Sequence, residues 1–441
     1  MFHTVILCTA AVVAAQSPAA SVGQSAKQLE MAKALVAQMA AGQFDKAVEP
    51  FDATMKQALP AEKLKVLWDG LATQCGQFRR ATDTTTEKIK QYDVVYVTCE
   101  FQRGKLDTKV VFDGNKITGL FSVPSGRYKP PTYVDSSKFE AKQIQVGSGV
   151  WSLPGTLTLP KGKGPFPGVV LVHGSGPNDR DESIGPNKPF RDLAHGLASQ
   201  GIAVLRYEKR TKQHSASMAA SVNIITVKEE TIDDAVAAVR LLASQEKIDA
   251  RRIVVLGHSL GGTMLPRIGK AEDGIAGFIS LAGSTRRLED IVLDQARYVL
   301  SLDGKLTKEA QQQLEEIERQ VATVKSAKLT EDTPKSDLPL GVPPKYWLEL
   351  RGYDPAEEAK TLLKPMLILQ GERDYQVTKE DFAGWKKTLA SQKSVTFISY
   401  PKLNHLFMEG SGKITPAEYL TPGNVAKVVI EDIAGWIKQL K

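Results

Sequence analysis

At 441 residues the chain has room for two domains, and its 42% hydrophobic residues are enough for two sizeable cores. A net charge of +7 invites a nucleic-acid partner, but no long Lys/Arg block exists. The densest cluster is Lys209, Arg210 and Lys212, and acidic residues such as Glu315, Glu316 and Glu318 are interspersed, so a solvated, mildly basic surface is expected and no nucleic acid.

Residues 5–15 form an apolar, alanine-rich stretch that ends in the small residues Val13, Ala14 and Ala15. This resembles an export signal over residues 1–15, cleaved after Ala15. The stretch is too short to span a bilayer. Bulky Leu7 before Cys8 speaks against a lipid-anchoring cysteine. The expectation is an exported protein, periplasmic or extracellular, with no stable membrane anchor. Cys75 and Cys99 then remain, and an even pair in an exported chain suggests a disulfide.

From Ser25 onward, Leu29, Ala32, Leu35, Val36 and Met39 fall at helical spacing. A second helix is expected over 44–55, broken near Pro50, and a third over 61–71. The period then changes to strands over 93–101, 108–112 and 116–121. Asp113-Gly114-Asn115 is a hairpin signal between the last two. Residues 25–123 therefore read as a small α+β domain, and 124–138, with Gly126, Pro130 and Pro131, as a linker.

Residues 139–441 alternate strand and helix, which predicts an α/β fold with a doubly wound, mostly parallel sheet. Buried strands are expected at 167–172, 202–206, 253–256, 275–282, 365–370 and 395–400. Residues 286–345 interrupt the alternation. They read as a helical cap insertion whose stripe of Ala310, Leu314, Ile317, Val321 and Val324 faces a binding pocket.

The run Ile253 to Gly262 carries the chemistry. A short apolar strand leads into Gly257-His258-Ser259-Leu260-Gly261, the pattern of a nucleophile elbow. Small residues two before and two after the serine permit the sharp turn. Serine alone is a weak nucleophile and needs a base. His405 is the only histidine after Ser259, and it sits just past a strand. Histidine titrates near neutrality and can shuttle the serine proton. Asp374, on the loop after 365–370, is the expected acid, with Glu372 as its rival. An oxyanion needs backbone donors. Leu260 directly follows the nucleophile, and Ser175 lies in the loop His173-Gly174-Ser175-Gly176. That loop lacks the third glycine of a dinucleotide fingerprint, and no metal motif occurs, so no cofactor or metal is implied.

The stretch from His173, HGSGPNDRDESIGPNKPFRDLAHGLASQGIAVLRYEKRTK, resembles secreted bacterial α/β-hydrolases of the EstD type. GHSLGG from Gly257, LILQGERDYQV from Leu367 and the pair Asn404-His405 fit the same family. The resemblance implies a serine carboxylesterase acting on a small-molecule ester through Ser259, Asp374 and His405. It also implies that the first domain is one of unknown function that precedes such hydrolases. The same triad cleaves amides, so a serine peptidase is the near alternative. A ligand-binding protein with a vestigial hydrolase domain is the distant one.

Overall fold

The computed structural model describes residues 22–126, 128–220, 226–302, 304 and 306–440. The expected export signal, 1–15, lies outside them. Two sheets organise the chain, one four-stranded and one eight-stranded.

In the first domain, helices Val22–Ala40, Phe44–Ala47, Ala53–Ala58 and Ala61–Cys75 precede an antiparallel meander. Its strands are β1 (Phe78–Ile89), β2 (Tyr92–Phe101), β3 (Gly104–Asp113) and β4 (Lys116–Pro124), paired in that order. The stripe Ala32, Leu35, Val36 and Met39 packs on Val95, Val97, Phe112 and Ile117 of the sheet. The helix expected over 44–55 is two helices. Phe51 leaves the helical path to bridge Ile117, and Asp52 caps the second helix by accepting from the Met55 N–H at 2.7 Å. Gly114 turns the β3–β4 hairpin at φ +58°. Strand β1 was not foreseen. It is an edge strand with nearly all of its residues exposed or half-exposed, so it carries no period-two pattern.

The expected Cys75–Cys99 disulfide is not formed; both are free, buried thiols. Cys75 ends a helix, whereas Cys99 lies on β2 with its Sγ 3.3 Å from Thr108 Oγ1 on β3. An even count says nothing about Cβ direction, which a disulfide requires. Burial pushes the Cys75 thiol up to about 11 and raises Cys99 as well, so both are poor nucleophiles.

The linker is tied down. The Tyr128 hydroxyl donates to Asp192 at 2.7 Å, and the Tyr133 hydroxyl to the Val425 carbonyl at 2.8 Å. Gly104 on β3 abuts Ala417, and Leu420 packs on the first domain's core, so the two domains meet at residues 416–420.

The second sheet comprises β5 (Phe139–Val146), β6 (Leu153–Pro160), β7 (Phe166–Val172), β8 (Ala203–Tyr207), β9 (Ile248–His258), β10 (Gly277–Leu281), β11 (Met366–Gly371) and β12 (Val395–Tyr400). Their spatial order is β12-β11-β10-β9-β7-β8-β6-β5. Strands β7 to β12 are parallel, while β6 runs against β8 and β5 against β6. Alternate residues face two layers. Val169, Leu171, Val254 and Leu256 meet the helices Pro189–Ala198 and Lys427–Gln439. Val170, Val172, Ile253 and Val255 meet the helix Asp233–Ala243. Burial on both faces explains the unbroken apolar runs in these strands. From β7 the chain passes first to β8 on one side, then across to β9 on the other. This switch leaves a crevice at the carboxyl ends of β7 and β9.

Between β10 and β11 lie the helices Leu288–Leu300, Lys308–Lys325, Pro344–Leu350 and Pro355–Ala359. Leu314, Val321 and Val324 of the second are buried, but against its neighbours rather than a pocket. Val324 joins Leu329, Leu338 and Trp347, and Glu318 pairs with Arg297 of the preceding helix at 2.8 Å. That preceding helix, Leu288–Leu300, supplies the pocket wall instead. No described helix is long and apolar enough to cross a membrane.

Candidate active site

Strand β9 runs directly into Ser259, whose φ is +53° and ψ −117°. Such a conformation costs a non-glycine residue about 1–3 kcal/mol and persists only where its surroundings impose it. Here the Ser259 N–H donates to Leu281 O of β10 at 2.8 Å, and a helix starts at Leu260. A Cβ on Gly257 would overlap the Gly261 carbonyl, and one on Gly261 would overlap Val172 O. Both glycines are therefore required by close backbone approach.

Asp374 stands on the loop after β11 and His405 on the loop after β12. His405 Nδ1 lies 2.6 Å from Asp374 Oδ2, with both side chains buried. The other carboxylate oxygen, Oδ1, accepts from the Gln376 and Val377 N–H groups at 2.7 and 3.0 Å, which fixes its orientation. Glu372 turns away, accepting from Ser399 Oγ at 2.9 Å. Asn404 shapes the histidine loop. Its Oδ1 accepts from the Leu406 and Met408 N–H groups, and its Nδ2 donates to Glu418 at 2.8 Å. Glu418 in turn holds Arg373 at 2.6 Å.

Sequence reasoning missed a buried pair beside this constellation. His258 Nδ1 is 2.9 Å from Glu182 Oε2, and His258 Nε2 donates to the His405 carbonyl at 2.9 Å. Glu182 Oε1 accepts from the Gly174 N–H at 2.7 Å. Burial opposes charge on both groups, but each partner outweighs it. The His258 pKa is raised above the ordinary histidine value, and that of Glu182 is lowered. One ion pair thus joins the loop after β7, the elbow and the histidine loop. His258 occupies the free position before the serine, and Glu182 is one of several acids after His173, so neither carried a spacing signal. His173 itself is pushed down to about 4 by burial and is neutral near pH 7.

Ser175 and Ser259 line a cavity of about 60 Å³, walled by Met264, Leu288, Ile291 and Leu350. A Cβ on Gly174 would stand 3.1 Å from Ser259 Cβ, so the loop after β7 abuts the nucleophile turn. Leu260 N–H opens the helix after the serine, and Ser175 N–H has no hydrogen-bond partner among the described residues. At the cap's base, Arg286 pairs with buried Asp381 at 2.9 Å and with Asp294 at 2.6 Å.

A doubly wound sheet with a strained serine turn at its switch point, joined through His258 to the loop that carries an aspartate–histidine pair, defines the α/β-hydrolase class. The chain belongs to the hydrolase family described as "Serine aminopeptidase, S33", which matches residues 169–410. Residues 32–120 match a domain described as a protein of unknown function, DUF3887. Esterase EstD of Thermotoga maritima is 40% identical over 400 residues, covering 89% of this chain and 91% of its own. Among solved structures, Est1E from Butyrivibrio proteoclasticus is 16% identical with TM-score 0.44, covering 67% of this chain and 99% of that one. The acylaminoacyl peptidase of Pyrococcus horikoshii is 16% identical with TM-score 0.47, covering 81% and 55%.

Proposed function

We propose that the protein is an exported serine hydrolase that cleaves carboxylic esters through an acyl-enzyme on Ser259. The observation that carries this reading is the 2.6 Å Asp374–His405 contact on loops that meet the Ser259 elbow. Asp374 binds Nδ1, which leaves Nε2 of His405 as the base. Nε2 takes the hydroxyl proton as Ser259 Oγ bonds to the ester carbonyl carbon. The carbonyl π pair moves onto oxygen, where the Leu260 and Ser175 N–H groups stabilise it. Collapse of the tetrahedral species breaks the bond to the alcohol oxygen, which leaves with the proton from Nε2. Water then repeats the sequence and releases the acid. The cavity beside Ser259 receives the acyl group. The 40% identity to a protein named as an esterase supports ester over amide, and the apolar stretch 5–15 supports export.

The family description names an aminopeptidase, which keeps amide cleavage as the second reading. Parallel assays with p-nitrophenyl acyl esters and an aminoacyl p-nitroanilide separate the two. Ester turnover should dominate, and Ser259→Ala should lower kcat by about a million-fold, as removal of a triad nucleophile does in a serine protease. Near-wild-type ester turnover by that variant would falsify the assignment.

A further inference from the structure

We propose that Lys209 is a positioning residue that sets the direction of the Gly174–Ser175 peptide, and through it the oxyanion site. The inference rests on the reading of the Ser175 N–H as an oxyanion donor. A trans peptide is a rigid plane whose C=O and N–H point opposite ways. Whatever holds the Gly174 carbonyl therefore also aims the Ser175 N–H. Lys209 Nζ donates to that carbonyl at 2.8 Å, and Asn178 Nδ2 donates to the same oxygen at 3.1 Å. The Ser175 N–H, on the opposite edge of the plane, has no partner among the described residues, and Ser175 lines the cavity that holds Ser259.

Lys209 is only 2% exposed. A buried ammonium is costly unless it is well paired. A lysine kept only to neutralise a carboxylate would lie closest to one. Here the nearest carboxylate oxygen, Glu230 Oε1, is 3.6 Å away, and it already accepts from the Tyr346 hydroxyl at 2.7 Å. The shortest contact of Nζ is the Gly174 carbonyl. A charge-assisted hydrogen bond of this kind is about twice as strong as a neutral one. The Lys209 N–H also donates to Asn178 O at 3.1 Å, so the chain leaving β8 braces the loop at two points. On the other side, Glu182 takes the Gly174 N–H. Without the ammonium only the longer Asn178 contact holds that carbonyl, and the peptide can rotate away from its set direction. Its carbonyl would then face the developing negative charge that the N–H should meet.

Lys209→Met keeps the apolar stem, and pairing it with Glu230→Gln avoids stranding a buried carboxylate. In the double variant, kcat for p-nitrophenyl acetate should fall about 10²- to 10³-fold, the usual loss for one oxyanion donor. KM should stay within about two-fold, since ground-state binding does not use the donor. Affinity for an alkyl trifluoromethyl ketone, which adds to Ser259 and mimics the tetrahedral oxyanion, should fall by the same factor as kcat/KM. Glu230→Gln alone should keep its kcat. The proposal is overturned by unchanged kcat in the double variant, by an equal loss in Glu230→Gln alone, or by a lowered melting temperature with full turnover per folded molecule. Full turnover by Ser259→Ala would instead remove the esterase reading itself, and the proposal with it.

Discussion

Two carboxylates, two residues apart, compete for His405 on the loop after β11. Only Asp374 reaches the imidazole, at 2.6 Å, while Glu372 is spent on Ser399 of β12. An amide at position 374 would keep the shape but favour the wrong imidazole tautomer, a change worth about 10⁴ in kcat in a serine protease. Asp374→Asn should therefore lower kcat by about that factor, and Glu372→Gln by no more than a few-fold, at saturating ester. The reverse ranking would reassign the acid. Asp374 and His405 were legible because their order along the chain is imposed by the fold. Glu182 and Lys209 were not, because each meets a backbone group of Gly174, and the pairing of Glu182 with His258 follows no fixed spacing along the chain.

At the scale of an element, the cap shows how a correct period can be given the wrong partner. Leu314, Val321 and Val324 do form a buried stripe, yet it packs within the insertion. Leu288 and Ile291 on the preceding helix face the cavity. A methylene in such a pocket is worth about 1–3 kcal/mol of discrimination. Ile291→Ala should move the preferred acyl chain toward greater length, read as the ratio of kcat/KM for p-nitrophenyl octanoate and acetate. Leu314→Ala should leave that ratio unchanged. A shift in the second variant and none in the first would return the pocket to the longer helix.

For the whole molecule, Asp192 lies where the linker meets the hydrolase domain. Its carboxylate accepts from the Tyr128 hydroxyl at 2.7 Å, the Val425 N–H at 2.9 Å and Asn424 Nδ2 at 3.3 Å. Burial nevertheless outweighs these donors and lifts its pKa from 3.8 to about 6. Between those values the folded protein keeps a proton that the unfolded chain has released. Stability from this site is thus full below about pH 4, falls as pH rises to about 6, and is level beyond. The change is on the order of 3 kcal/mol. Denaturation midpoints of the wild type and Asp192→Asn, measured from pH 4 to 7, should show that decline in the wild type only. Parallel curves would contradict it.

Periodicity and chain order alone determined the α/β class, the small domain ahead of it, the Ser259 elbow and the single histidine that follows it in the chain. These are local properties: a strand buried on both faces must be apolar, and a turn whose backbones touch must be glycine. Tertiary structure decided the rest. It left Cys75 and Cys99 as free thiols, gave the polar edge strand β1 its partner, and turned Glu372 toward Ser399. It also turned the cap's stripe inward and joined Glu182, His258 and Lys209 around Gly174. Each of these depends on where side chains from distant segments point, and a direction in space is not written in the spacing of residues along a chain.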